Sequence, residues 1–363
     1  MPRAHVAAMI EHQAESCAKL NSPLYAALLR QVAQDVRAGG PCADAVAGYE
    51  TAPGPDAIAL RLLGGVHALA LTGQAPDLAV HYPSTGGTFD PDQPHAGWPA
   101  FRATVAAEMT WVRDWMSRPP QTNEVGRANL LIAGLLQAAQ STPLPIRLFE
   151  LGSSAGLNLR ADRFRYTSDG FAWGPRESSV RMENAWRGAP PEWLRKAAAA
   201  HRALTITERR GCDLSPIDPL SRAGALALRA YVWPDQTARA ARLDGALMEA
   251  ARVQAEVERI GAAEFLAGIR LEPGALTVVW HSVMRQYVPA MEWAEVEREL
   301  DRLAAASTPE AAFAHVSFEP RRVGEQHHFQ LAVRLGSSAE TVLAEAYPHG
   351  LPAYDPSGPG PRS

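Results

Sequence analysis

Residues 147–159 read "RLFELGSSAGLNL", and two different chemistries can be written over that stretch. From Gly152, "GSSAG" is G-x-S-x-G, in which a sharp strand-to-helix turn presents a serine, here Ser154, as an acyl-transfer nucleophile. From Glu150, "ELGSSAG" is a small-residue turn behind a strand, of the kind that cradles a nucleotide-like cofactor. The residues on either side decide between them.

Upstream, the signals are helical. Apolar residues recur at helical spacing in "SPLYAALLRQVAQDV", where Ser22 can cap and Pro23 takes the first helical position, and again in "PDAIALRLLGGVHALALTG" and "WPAFRATVAAEMTWVRDWM". A helix in "NEVGRANLLIAGLLQAAQ" follows, with Thr122 or Asn123 as its cap, and "STPLP" breaks it. Downstream the pattern changes. "IRLFEL", "TITERRGCD", "VQAEVERI", "ALTVVWHSV" and "AAFAHVSFEP" read as strands separated by helices, and "HHFQLAVRL" with "ETVLAEAYP" as a terminal hairpin. Strands interleaved with helices imply right-handed parallel crossovers. The expected fold class is therefore α/β, a doubly wound, mostly parallel sheet. We expect a helical N-terminal domain over 1–142, a Rossmann-like domain over 143–352 with the Trp- and Arg-rich insertion 171–194, and a disordered tail over 353–363.

Composition narrows the function. A net charge of -4 argues against phosphate neutralisation, so no nucleic-acid partner is expected. Three cysteines with no C-x-x-C pair suit a reducing compartment and offer no metal site. The N-terminus lacks a signal-peptide core and no apolar run approaches the ~20 residues that cross a bilayer. The expectation is a cytoplasmic protein without a membrane partner.

The nucleophile reading has Ser154 followed by Asp213 or Asp235 and then His281 or His315, the Ser, Asp, His order of the α/β-hydrolases. That fold also needs several strands before its elbow, and everything upstream here reads helical. The cofactor reading needs the turn on the first strand of the sheet, which "IRLFEL" supplies. Small residues at 152, 154, 155 and 156 admit a ligand to the backbone, and a helix beginning near Leu157 would aim its amides at it. Glu150 ends the first strand. Asp213 ends the second, where a ribose hydroxyl pair is usually held.

"FELGSSAGLNL" with "GCDLSP" resembles motifs one and two of class I S-adenosylmethionine-dependent methyltransferases, over roughly residues 143–350. That likeness implies a sheet ending in an antiparallel hairpin, S-adenosylmethionine as cofactor, and Glu150, Gly152, Ser154, Gly156, Asn158 and Asp213 as its binding residues. Ser154 replaces the middle glycine, "ERIGAAEFL" offers Ala262 and Ala263 after the third strand, and "HSVMRQY" replaces the Asn/Asp-Pro-Pro-aromatic loop of amino-group methylation. The combination of "QTNEVGRANLL", "ELGSSAGLNLRADRFRY", "RRGCDLSPIDP", "VWPDQTARAARL" and "VVWHSVMRQYVP" is similar to an uncharacterised bacterial domain family with no assigned activity, over nearly the whole chain.

Open α/β sheets bind ligands beyond the carboxyl ends of their strands, so "HSVMRQY" faces the substrate. His281 suits a general base, with Arg285 and Tyr287 beside it as catalytic candidates and Ser282 orienting the substrate. A crevice rim is expected from Asn123, Glu124 and Arg127, together with Gln121, and from Asp235 and Gln236, although Asp235 reads first as the N-cap of the helix that follows it. His327 and His328 face opposite sides of a strand and disfavour a metal. Glu319, Arg321 and Arg322 read as solvated charges. The expected activity is methyl transfer from S-adenosylmethionine to a small molecule. A degenerate fold binding a nucleoside-like ligand without turnover, and a serine hydrolase using Ser154, stay open beside it.

Overall fold

A computed structural model describes residues 2–120, 122–324 and 326–356. The chain forms two compact units, Met1–Thr122 with Ser221–Ala241, and Asn123–Leu220 with Arg242–Ser363.

The described residues of the first unit form helices and 3-10 turns. Ser22 caps the helix Pro23–Ala38 by accepting from the Tyr25 N–H, and Pro23 opens it. That helix buries Leu29 and Val32 in a core with Leu62, Val66 and Phe101.

The second unit is α/β, a large, mostly parallel sheet with helices. Its strands in chain order are β1 (Ile146–Leu151), β2 (Arg165–Ser168), β3 (Phe171–Trp173), β4 (Arg181–Met182), β5 (Ile206–Asp213), β6 (Glu256–Arg259), β7 (Ala275–Ser282), β8 (Ala311–Val323), β9 (Gln326–Leu335), β10 (Thr341–Ala346) and β11 (Ala353–Tyr354). The eight-stranded sheet runs β11-β10-β9-β8-β7-β1-β5-β6, parallel from β6 to β8 and antiparallel from β8 to β11. The chain thus leaves β1 first toward β5 and β6, then returns to lay β7 and β8 on the other side. Such a reversal opens a crevice at the strands' carboxyl ends. β1 is buried along its whole length, which a central parallel strand requires. Its arginine is accommodated by ion pairs: Arg147 Nε lies 2.6 Å from Glu208 Oε2 and Nη2 2.9 Å from Glu272 Oε1.

Helices cover both faces. Side chains alternate along a strand, so Val316 and Phe313 of β8 point to opposite sides. Gly134 of the helix Ala128–Ser141 packs on Val316, while Trp293, Val296 and Leu300 of the helix Ala290–Ala305 share a core with Phe313, Phe149 and Val279. The insertion after β1 forms a separate three-stranded sheet, β3-β2-β4, that the sequence did not announce. Ala353–Tyr354 pairs with β10; residues 357–363 of the expected tail lie outside the described residues. No helix among the described residues is long and apolar enough to cross a membrane.

Candidate functional site

The turn after β1 is tight at three positions. Gly152 and Gly156 both have φ of 65° and Ser154 has φ of 53°, the left-handed region that costs any residue with a Cβ. A Cβ on Gly152 would meet the Met284 side chain at 3.2 Å, and one on Gly156 would meet Val257 Cγ2 at 2.8 Å. Here the glycines serve close packing of this chain's own side chains. The turn is tied to β5: Asp213 Oδ2 accepts the Ser154 N–H at 2.9 Å and Oδ1 accepts the Ser215 N–H at 2.8 Å. Where a helix was expected from Leu157, the chain makes a 3-10 helix, Leu157–Arg163, with a non-helical break at Arg160. Its first amide is not open to a ligand, because Leu157 N–H donates to Asn123 Oδ1 at 2.8 Å.

That bond corrects the expected cap. Asn123 does not start the helix after it, which begins at Ala128; Glu124 caps a 3-10 turn, Val125–Arg127, through the Gly126 N–H. Asn158 Nδ2 donates to the Glu124 carbonyl at 3.2 Å, so residues 123 and 124 clip onto the Gly turn. Arg127 donates to the carbonyls of Pro348 and, at 3.4 Å, Ser282. Gln121 lies outside the described residues. Asp235 and Gln236 belong to the first unit. There Asp235 accepts from Ser22 Oγ at 2.6 Å and the Leu24 N–H at 3.0 Å, and Gln236 Nε2 donates to the Leu20 carbonyl. The capping role of Asp235 is therefore toward the helix Pro23–Ala38, distant in sequence.

Glu150 and His281 stand at the carboxyl ends of adjacent strands but on opposite faces. Glu150 is registered with Trp280, and His281 with Leu151. Glu150 is 3% exposed; its Oε1 accepts the Trp280 Nε1–H at 3.1 Å and its Oε2 has no partner. Burial pushes its carboxyl up to about 8, so it keeps a proton at neutral pH.

On the other face, His281 is 2% exposed and its Nδ1 lies 2.8 Å from Glu319 Oε1. The same oxygen accepts the Met284 N–H at 3.0 Å and the Arg285 N–H at 3.4 Å. Although burial works against its charge, these donors, His281 first, hold Glu319 below the usual carboxylate range. An ionised Glu319 fixes the tautomer. Nδ1 carries the proton and, in the neutral ring, Nε2 offers a lone pair. Nε2 has no partner. The loop that brings Met284 and Arg285 to Glu319 turns at Val283, whose φ of 51° is an outlier for a β-branched residue.

His315 stacks on His281, ring centroids 5.1 Å apart, and its Nε2 is likewise without a partner. Burial, reinforced by His281 and nearby arginines, keeps it well below the usual histidine range and so neutral. Trp293 meets His281 edge-on at 5.2 Å. These residues line a cavity of about 440 Å³ with Leu300, Ser317, Glu319 and Pro320. Its arginines are engaged: Arg334 lies 2.6 Å from Asp301, Arg321 pairs with Glu340, and Arg285 lies over the Trp293 ring, 3.8 Å from Glu297. Tyr287, 63% exposed, and Ser282 sit in and before the loop beyond β7. Among the described residues no group of three or more His, Cys, Asp or Glu is arranged to hold a metal.

Sequence reasoning missed Glu319 and His315 as members of this cluster. The signal was in "HVSFEP": His315, Ser317 and Glu319 alternate with Val316 and Phe318, a polar row on one face of a buried strand.

The fold and site define an α/β protein with acids at the ends of two central parallel strands and a buried Glu–His pair between β7 and β8. Residues 7–353 match the family described as "Uncharacterized protein conserved in bacteria (DUF2332)", and the chain belongs to it. Neither a curated protein nor a solved structure matches the chain.

Proposed function

We propose that the protein transfers a methyl group from S-adenosylmethionine to a small molecule, on a methyltransferase-type sheet. One arrangement carries this reading. Two acids, Glu150 and Asp213, end the adjacent strands β1 and β5 around a turn of small residues at the point where strand order reverses. Glu150 Oε2, buried and without a partner, suits a cationic amino group, and Asp213 suits a ribose hydroxyl pair. When bound, S-adenosylmethionine supplies an electrophilic methyl group on a sulfonium.

What the chain adds is alignment and a base. From the opposite face of the sheet to Glu150, the lone pair of His281 Nε2 takes the proton of an acceptor that reaches past the strands' carboxyl ends, and the carboxylate of Glu319 holds the resulting imidazolium in place. Neutral His315 beside it adds no competing charge. A second reading, binding without turnover, is favoured by Met284 and Val257, which pack against the two turn glycines.

Calorimetry with S-adenosylmethionine and S-adenosylhomocysteine tests both. Micromolar heats that Asp213→Ala abolishes are expected, and methyl release over an acceptor panel separates turnover from binding. No heat with either ligand at millimolar concentration overturns the cofactor assignment.

A further inference from the structure

We infer that the cavity floored by His281 and His315 binds its ligand through an uncharged hydroxyl on a planar ring, a phenol-class group. The inference deepens the proposed function only in calling that ligand the methyl acceptor; the binding stands apart from any cofactor. Four observations converge. Two buried ring nitrogens, His281 Nε2 and His315 Nε2, have no partner in the protein. Buried polar atoms without partners are rare and costly, so a site that leaves two together is built to receive a hydrogen-bonding group. Since Nδ1 of His281 is committed to Glu319, Nε2 of the neutral ring is an acceptor, and a group that enters to pair with it must donate.

The walls set the shape. Trp293, Leu300 and Pro320 offer apolar surface around the two stacked imidazoles, and the cavity of about 440 Å³ lies in the range that holds small organic ligands. The rim does not select an anion. Arg334, Arg321 and Arg285 stand beside Asp301, Glu340 and Glu297 respectively, so no guanidinium is left unopposed to select a carboxylate or phosphate. A bound anion would also face the ionised Glu319 directly behind His281. Arg285 is itself engaged with the Trp293 ring and Glu297.

The test uses three fluorescent probes of one shape: 2-naphthol, which donates; 2-methoxynaphthalene, which cannot; and 2-naphthoate, which is charged. Each is titrated into the full chain at pH 7, with and without S-adenosylhomocysteine. We expect 2-naphthol to bind at least about tenfold more tightly than either analogue, because only it carries a proton to donate to His281 Nε2. His281→Gln and His315→Leu should each remove most of that preference. Leu300→Trp, which fills the cavity from the helix side, should block all three probes, so the inference does not depend on a histidine variant folding. Equal or tighter binding of 2-naphthoate overturns the inference, as does 2-naphthol binding that Leu300→Trp leaves unchanged, or no 2-naphthol binding in either condition. Preferential 2-naphthol binding by a protein that shows no heat with S-adenosylhomocysteine would sink the cofactor assignment and leave this inference standing.

Discussion

His281 and Glu319 face each other across β7 and β8, Nδ1 to Oε1 at 2.8 Å, and the same oxygen receives the N–H groups of Met284 and Arg285. Glu319 therefore orients the imidazole and anchors the loop that follows it. Glu319→Ala leaves a buried imidazole and two amides unpaired, and we expect a loss of about 3 kcal/mol in urea unfolding. Glu319→Gln keeps the shape and should cost less stability while lowering turnover ~10²-fold. The ¹⁵N shifts of His281 should report loss of the single tautomer. Retention of that tautomer in Glu319→Ala would deny the carboxylate its positioning role.

Glu150 gives stability an unusual pH dependence. Its carboxyl is raised from the usual 4.5 to about 8, so between those values the folded chain holds a proton that the unfolded chain has released. The stabilising contribution is full below about 4.5 and declines as pH rises through 8, by up to ~1.4 kcal/mol per pH unit. Glu150→Gln should flatten that slope. A cation bound beside the carboxyl should expel the proton, so the calorimetric heat should change with the ionisation enthalpy of the buffer.

The acid side is governed by buried imidazoles. Burial lowers His67 of the first unit to about 4, between the Ala230 carbonyl and Ser84 Oγ. It stays neutral in the folded chain while the unfolded chain takes a proton below 6.5, so its contribution is present above 6.5 and is lost as pH falls toward 4. The stability difference between the protein and His67→Gln should shrink across that window. A difference constant with pH would show that His67 is not held neutral.

Much of the α/β unit is legible because buried parallel strands write themselves as apolar runs. "IRLFEL" is β1 residue for residue, and "ALTVVWHSV" runs one residue past the end of β7. The cap at Ser22 is equally local and equally legible. What escapes is whatever depends on distant partners. Asn123 sits where a helix cap should, yet its acceptor meets the Leu157 amide, and Asp235 caps a helix more than 200 residues earlier. Glu319 carries a charge beside two arginines, the mark of a solvated rim, and only its place on a buried strand converts it into a partner for His281. Local pattern fixes elements; the pairing of polar side chains follows from the register between them.

Gly156 tests how the turn is built. Its φ of 65° and the 2.8 Å approach of Val257 Cγ2 mean that Gly156→Ala carries both backbone strain and a clash, about 2 kcal/mol together. Adding Val257→Ala removes the clash alone. The double-mutant cycle should show a favourable coupling of about 1 kcal/mol. Strict additivity would mean that β6 does not support the turn.

Ser154 is where the two chemistries of "GSSAG" part. As a nucleophile it would need a base, yet His281 bonds Glu319 through Nδ1 and finds no partner through Nε2, and His315 Nε2 has none either. Ser154 is instead fixed by its backbone, its N–H held by Asp213. Its φ of 53° is also what an elbow would show, so conformation alone does not choose. Ser154→Ala keeps a small residue in the turn and should bind S-adenosylhomocysteine within about threefold of the parent, whereas loss of an acyl-transfer nucleophile would cut turnover by ~10⁴ or more. Ser154→Gly should be tolerated still better, since glycine adopts this φ without strain. A fluorophosphonate probe decides without a known substrate: we expect no labelling of Ser154, and a covalent adduct mapped there by mass spectrometry would establish the elbow and displace the cofactor.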